Sequence, residues 1–263
     1  MKIPIIMYHE VNEKDSVPEL SKYVYKKYII EDNCFDAQLS FLCLNNFKTL
    51  TVSELDRMKE INNKNVALTF DDGYAGNYAY AFPALKKVNF KATFFIATDW
   101  IGLPHMLTWE HVREMSDSGM EIGSHSASHQ LLGDKNEEAI YQELSSSKNI
   151  IEKKIKKTIM TLSYPNGSYN AKVNSIAKSL GYTKACTSDA GYWDVVKMGF
   201  IVPRFTAPTD VKCLKRILDS DYSQILKTFT LDKAKKTLKC VLGRKRYNSL
   251  YLKFFNLEVI KDR

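Results

Sequence analysis

Two aspartates stand side by side at Asp71 and Asp72, directly after the apolar run Val66–Phe70 and directly before Gly73. Two histidines, His125 and His129, stand four positions apart in the stretch EIGSHSASH. Two imidazoles and one carboxylate make a sound donor set for a divalent cation with positions left open for water, and such a set accepts Zn, Co, Mn, Ni or Fe. The histidine spacing fits one helical turn, which puts both rings on one face; a tight loop fits it too. Adjacent carboxylates repel, and burying both unpaired is costly. One of them on the cation and the other serving as a general base for water removes that conflict. Gly73 permits the tight turn that lets both side chains face one cavity.

Other polar residues fall at the same kind of place, just beyond an apolar stretch. His9 follows Tyr8 in IMYHEV, and Arg204 follows Pro203 in VPRF. Arg204 is placed to pair with the base carboxylate and hold it ionised. His9 is placed to protonate a leaving group. His105 and His111 lie outside this pattern and are not expected to be ligands.

These groups converge only if the intervening elements bring strand ends together. Ile3–Tyr8, Val66–Phe70, Lys91–Ala97, Met120–Ser124 and Thr158–Tyr164 read as strands, with Thr183–Thr187 and Gly199–Phe205 as the last ones. Helices are expected over Tyr78–Val88, Trp109–Ser118, Asn136–Lys154 and Asn170–Leu180; Gly119 and Gly181 stop two of them. Strands this apolar, alternating with helices, predict an α/β fold with a largely parallel sheet covered by helices. A barrel and an open sheet both fit. In either, the carboxyl ends of the strands are where sites are built.

The 263 residues are 44% hydrophobic, enough to bury the core of one large domain or two small ones. The five cysteines are odd in number and contain no C-x-x-C pair, so neither a disulfide framework nor a zinc–cysteine site is expected. The start, MKIPIIMYHEV, lacks the pattern of a secretory leader, and there is no 18-residue apolar run. A cytoplasmic protein is the default expectation. The net charge of +8 is concentrated in the tail, where residues 221–263 carry eleven Lys or Arg against four Asp or Glu. That basic stretch mixes its charges with Leu, Tyr and Phe. It fits a helical face for an anionic membrane or an acidic partner, and equally a packed terminal helix. Nucleic acid is not an expected partner.

TFDDG (Thr69–Gly73) and HSASH (His125–His129), with KATFFIA and LSYPNGSYN around them, resemble the polysaccharide deacetylases with a NodB-homology domain, carbohydrate esterase family 4. The resemblance covers about residues 1–210, and an early YH pair at Tyr8–His9 is closest to the subgroup that includes poly-N-acetylglucosamine deacetylases. It implies a distorted (β/α) barrel over residues 1–220, with an insertion loop near 12–34 and a basic helical extension over 221–263. It implies a divalent metal, commonly zinc, held by Asp72, His125 and His129, with Asp71 as general base and Arg204 orienting it. Tyr164, Pro165, Asn166 and Gly167 match the third motif, which shapes a groove wall; Gly73 and Tyr74 lie beside the reacting group, and a backbone N–H there would serve the oxyanion. Two departures stand out. Ser163 lies where the third motif commonly carries an arginine, and no histidine follows His129 to act as a late acid, which leaves that role to His9.

The reaction so implied is hydrolysis of N-acetyl groups on an amino-sugar glycan or its precursor. An O-acetyl glycan esterase on the same scaffold is one alternative, and a non-catalytic glycan-binding protein is another. A binding module needs no base beside a cation, which weighs against the last.

Overall fold

The computed structural model describes residues 2–16, 24, 26–56 and 64–219. The basic tail and its expected membrane or protein contact lie outside the described residues. Eight parallel-paired strands form the frame: β1 (Lys2–Tyr8), β5 (Asn65–Phe70), β6 (Thr93–Ile96), β7 (Glu121–Ser124), β8 (Thr161–Ser163), β9 (Lys184–Cys186), β11 (Ile201–Val202) and β12 (Phe205–Thr206). Along the sheet β1 pairs with β5, then β6, β7, β8, β9 and β11 follow in order, all parallel. β12 returns to pair with β1 on its other side, also parallel.

The expected Gly199–Phe205 strand is therefore two strands, split at Pro203 and Arg204. Proline has no N–H for a ladder. The chain uses the break to step from β9's neighbour to β1's neighbour, nearly closing the sheet into a distorted (β/α) barrel. Arg204 sits at that closure, its N–H donating to Asp189 O at 2.9 Å. Four further strands extend the sheet or flank it. β4 (Lys48–Leu50) runs parallel to β5, β10 (Tyr192–Asp194) antiparallel to β1, and β2 (Glu10–Asn12) pairs with β3 (Ile29–Glu31).

Helices α1 (Asp32–Leu44), α2 (Phe82–Lys87), α3 (Trp109–Asp117), α4 (Glu137–Ile155), α5 (Ala171–Ser179) and α6 (Val211–Leu218) connect the strands. Asn136 caps α4 by accepting from Ala139 N–H at 2.8 Å, and Asn170 caps α5 by accepting from Val173 N–H at 3.0 Å. His111 caps α3, its Nδ1 accepting the Thr108 N–H, which occupies it structurally. The helix expected from Tyr78 begins as a π-helical turn at Asn77–Ala81 before α2. The expected strand Thr158–Tyr164 is paired only over Thr161–Ser163. Within the span expected as an insertion loop, β3 and the first residues of α1 are regular structure.

β5 is buried at all six positions, as parallel strands covered on both faces should be. Ile3, Ile5, Leu50, Ala67, Phe95, Trp193 and Val202 meet in one core cluster. Each large apolar side chain buried there contributes roughly 1.5–3 kcal/mol. Among the described residues, no helix is long and apolar enough to cross a membrane.

Candidate active site

The site sits at the carboxyl ends of β1, β5, β7, β8 and β11. Asp71 is the first residue beyond β5 and is tied to β1 by its N–H, which donates to Tyr8 O at 3.0 Å. The chain then turns through two successive left-handed residues, Asp72 (φ 76°) and Gly73 (φ 86°), closed by Gly73 N–H to Asp71 O at 3.0 Å. A left-handed aspartate is uncommon and tolerated chiefly by short polar side chains. The turn sends the two carboxylates to different partners.

Asp72 Oδ1 lies 3.2 Å from Nε2 of His125 and 3.2 Å from Nε2 of His129. The histidines come together through a loop, not a helical turn, with Ser126 (φ 63°) and His129 (φ 60°) left-handed. His125 Nδ1 is 2.8 Å from Ser163 O. A carbonyl can only accept, so Nδ1 carries the proton and Nε2 presents its lone pair toward Asp72. Burial works to raise the Asp72 pKa, and the two imidazoles outweigh it, holding the carboxyl well below the usual range. Burial works to lower the pKa of His125, but Asp71 and Asp72 outweigh it and the value is raised. The rings of Trp100 and His129 lie 4.6 Å apart, so the indole flanks the second histidine.

These three residues fit a divalent cation. Asp72 Oδ1 is buried and has no partner of hydrogen-bond geometry, and it faces two imidazole nitrogens. All three donor atoms lie within 4.8 Å of one another. Such a cluster of one oxygen and two nitrogens suits a borderline cation with open positions.

Asp71 belongs to a different network. Arg204 is 1% exposed and grips it bidentately, Nη1 to Oδ1 and Nη2 to Oδ2, both at 2.7 Å. The guanidinium spends its other donors on Thr187 O, Ser163 Oγ and Thr69 Oγ1, at 3.0, 2.9 and 3.2 Å. Ser163 in turn donates to Asp71 Oδ2 at 3.1 Å. Burial works to raise the Asp71 pKa; Arg204 and His125 outweigh it, and the carboxyl is held low and ionised. Oδ2 thus has two donors and Oδ1 one, leaving Oδ1 the freer oxygen.

His9 is half-buried between β1 and β2, its ring stacked on Tyr28 at 4.2 Å. Burial lowers its pKa against the opposing pull of Asp72 and Asp71, so the ring is largely neutral at pH 7. The neighbouring Glu10 is 1% exposed, and burial pushes its carboxyl up to about 7. Its Oε1 accepts from Asn12 Nδ2 at 2.8 Å and Gly76 N–H also donates to it. Gly76 is needed there, because a Cβ would lie 2.0 Å from Val11 O. Glu10 therefore fastens the strand after His9 to the loop after Asp72. Neither Tyr28 nor Glu10 stood out in the sequence: Tyr28 lies in a charged, tyrosine-rich stretch, and Glu10 follows the YH pair with no motif role of its own.

The remaining expected site residues divide. Tyr74 is half-buried beside Asp72, with its pKa raised by burial and by that carboxylate. The Gly73 N–H is spent on Asp71 O, while the neighbouring bridge is closed by Ala75 N–H to His105 O and Leu107 N–H to Gly73 O. Neither bond uses the Tyr74 N–H. Asn166 is exposed and Gly167 half-buried at the rim, and Pro165 is buried beneath them. Tyr164 is 0% exposed, and its hydroxyl donates to Asn174 Oδ1 at 2.8 Å. Its ring stacks on that of Tyr169, with centroids 5.2 Å apart. His105 is exposed and stands apart from the cluster.

Comparison with known proteins follows the same residues. The polysaccharide deacetylase family pattern matches residues 59–185, a span that includes Asp71, Asp72, His125 and His129. Over that span the chain is similar to the polysaccharide deacetylases, and its barrel is of the NodB type. The Bacillus subtilis protein YxkH is 34% identical over 194 residues, 72% of this chain and 66% of that protein. The poly-beta-1,6-N-acetyl-D-glucosamine N-deacetylase of Staphylococcus epidermidis is 28% identical over 221 residues, 73% of this chain and 76% of that protein. Among solved structures, the Streptococcus pyogenes deacetylase PplD, in complex with acetate, superposes with a TM-score of 0.75 at 27% identity, covering 83% of this chain and 98% of that one. The match spans just under two thirds of the length of the Bacillus relative.

Proposed function

We propose that this domain hydrolyses the N-acetyl groups of an amino-sugar glycan or glycan precursor, releasing acetate and a free amine. The observation that carries this reading is the separation of two adjacent carboxylates into distinct settings. Asp72 belongs to a cation cluster, and Asp71 is held ionised by Arg204 beside it. A site that only held a cation or bound a glycan would not need the second.

Asp72, His125 and His129 would hold the cation, zinc being the commonest choice for such a set. A bound divalent cation would acidify water and polarise the acetyl carbonyl. Asp71, kept low by Arg204, is a weak base and removes a proton only from water already made acidic; Oδ1 is its freer oxygen. The hydroxide so formed adds to the carbonyl carbon, the C–N bond breaks, and the amine leaves with a proton. Tyr74 N–H is placed to donate to the oxyanion. His9 supplies the proton to the amine, in the manner of the subgroup with an early YH pair. A ring kept neutral can donate only after taking up a proton within the cycle, and the one removed from water is available. Asn166 and Gly167 border the groove, with Tyr164 and Pro165 supporting it from beneath.

Two relatives bear on the substrate. The Staphylococcus epidermidis enzyme is named for N-deacetylation of a glucosamine polymer, and the Streptococcus pyogenes deacetylase holds acetate, the product expected here. The second reading is an ester: a leaving alkoxide needs less protonation than an amine, so an O-acetyl substrate would depend less on His9. Acetate release from N-acetylglucosamine oligomers and from an O-acetylated glycan, each with metal-stripped and zinc-restored protein, separates the readings. Zinc-dependent release from the N-acetyl substrate, impaired by His9→Ala, is expected. Release confined to the O-acetylated glycan would overturn the amidase reading.

A further inference from the structure

The loop that carries both histidines has no regular backbone partner, yet its amides are all spoken for. His125 N–H donates to Ile96 O at 2.8 Å. Beyond it, Ser126 N–H donates to Ser124 Oγ at 3.2 Å and His129 N–H to Ser126 Oγ at 3.1 Å. The two amides in the middle go to one carboxylate on α4: Ala127 N–H and Ser128 N–H donate to Glu143 Oε2, at 3.0 and 2.9 Å. Ser128 Oγ donates to Glu143 Oε1 at 2.5 Å. One turn further along α4, Ser147 Oγ meets Ser124 Oγ at 2.8 Å, so two successive turns of the helix grip the same loop.

We propose that Glu143 is a positioning residue for the cation site. It acts through the loop between His125 and His129, holding their rings at the mutual geometry the cation requires. This rests on the reading of Asp72, His125 and His129 as ligands. The physical case is that Ser126 and His129 are both left-handed, a conformation that non-glycine residues keep only when surroundings over-determine it. A carboxylate accepting two backbone N–H groups and a hydroxyl supplies that constraint with charge-assisted bonds. The carbonyls of the loop are used as well: Asp99 N–H donates to Ala127 O at 3.0 Å, so the loop is clamped from two sides. Without Glu143, the two central amides lose their acceptor and the histidines can separate before any cation arrives. Preorganisation of this kind appears in affinity, since partners that orient metal ligands commonly set it within 10–100-fold.

The test compares full-length wild type, Glu143→Ala, Glu143→Gln and Ser147→Ala, each stripped of metal. Cobalt(II) and zinc dissociation constants are measured by dye competition, with the cobalt absorption spectrum and the melting temperature of the metal-free protein. Hydrogen exchange of the 126–128 amides is followed in the metal-free state. Glu143→Ala should weaken cobalt and zinc binding about 10–100-fold and speed exchange at 127 and 128. Glu143→Gln, whose amide oxygen still accepts but carries no charge, should lose less than Glu143→Ala in both. If Glu143→Ala is too unstable to study, Glu143→Gln carries the test, with an intermediate loss of affinity and faster exchange at the same two amides. A purely structural role predicts a lower melting temperature with unchanged dissociation constants and cobalt spectrum, and that result would overturn the proposal. Wild type that bound no cobalt or zinc would overturn the ligand reading itself, a failure distinguishable from equal binding by wild type and variants.

Discussion

The two ends of the barrel each hold a carboxyl among hydrogen-bond donors, and they shift its pKa in opposite directions. At the amino ends of the strands, Glu121 accepts from Thr93 Oγ1 at 2.7 Å, Thr161 Oγ1 at 3.1 Å and Ser53 N–H at 3.2 Å. All three donors are neutral, and burial raises its pKa. At the carboxyl ends, Asp71 is more fully buried than the half-buried Glu121, yet it faces Arg204 in a bidentate pair, and its pKa is lowered. Glu10 shows that position alone does not decide. It lies at the same end as Asp71, lacks a bonded cation, and is pushed up to about 7. Enclosure by neutral donors leaves a carboxyl ready to take a proton, and an enclosed guanidinium keeps it charged. A site that needs an ionised base therefore needs its arginine.

The largest effect that should break this contrast comes from Arg204→Met. It leaves Asp71 buried without its cation and should cost about 3–5 kcal/mol of stability, read by urea denaturation. At neutral pH it should also abolish turnover, since Asp71 would lose the guanidinium that holds its pKa down. Full stability in that variant would mean the pair contributes nothing.

Glu10 sharpens the contrast through pH. Its folded value of about 7 lies above its unfolded value, so the folded state binds more protons between the two. The associated stabilisation is complete below the unfolded pKa and lost as pH rises through 7. A shift of this size corresponds to about 3 kcal/mol. Wild type should lose that increment between pH 4.5 and 8, and Glu10→Gln should not; parallel curves would contradict the assignment.

Metal binding should show the next effect. The pKa of His125 is raised, so in the metal-free protein a proton competes with the cation for this residue. That proton stabilises the metal-free fold below the unfolded pKa, and its contribution is lost as pH rises through the folded pKa. Metal affinity should accordingly fall as pH drops through that range, by up to about tenfold per pH unit for one displaced proton. Dye competition at several pH values checks this; a flat profile would show that no proton is displaced. The smallest effect belongs to Glu121→Gln, whose amide oxygen still accepts from the donors around it. It should cost on the order of 1 kcal/mol, well under the Arg204 variant. Equal losses would erase the contrast between the two ends.

Much of the site was legible because its residues are contiguous motifs at strand ends. The pair Asp71–Asp72 and His125 directly follow apolar strands, with His129 four positions later, and the structure brings Asp72, His125 and His129 into one cluster. Arg204 could be picked out by position, but its five donors find partners on three other segments that only barrel closure assembles. The histidine spacing admitted a helical turn, and the left-handed Ser126 and His129 show why a loop was adopted: side-chain acceptors satisfy its amides. Short strands with polar ends, Lys48–Leu50 and Tyr192–Asp194, carry too little periodicity to announce themselves, and they exist because β5 and β1 supply ladders for them. Tyr164 matched a groove motif by sequence, yet its ring turns to α5 because Asn174 offers the hydroxyl a partner.

The central claim is that Asp71 acts as the base while Asp72, His125 and His129 hold the cation. The most direct measurement is acetate release from N-acetylglucosamine oligomers by zinc-restored wild type and Asp71→Asn, with bound zinc determined on the same samples. The variant should keep zinc at wild-type stoichiometry and lose about 10²–10⁴-fold in turnover. Release at the wild-type rate by a zinc-loaded Asp71→Asn protein would contradict the account.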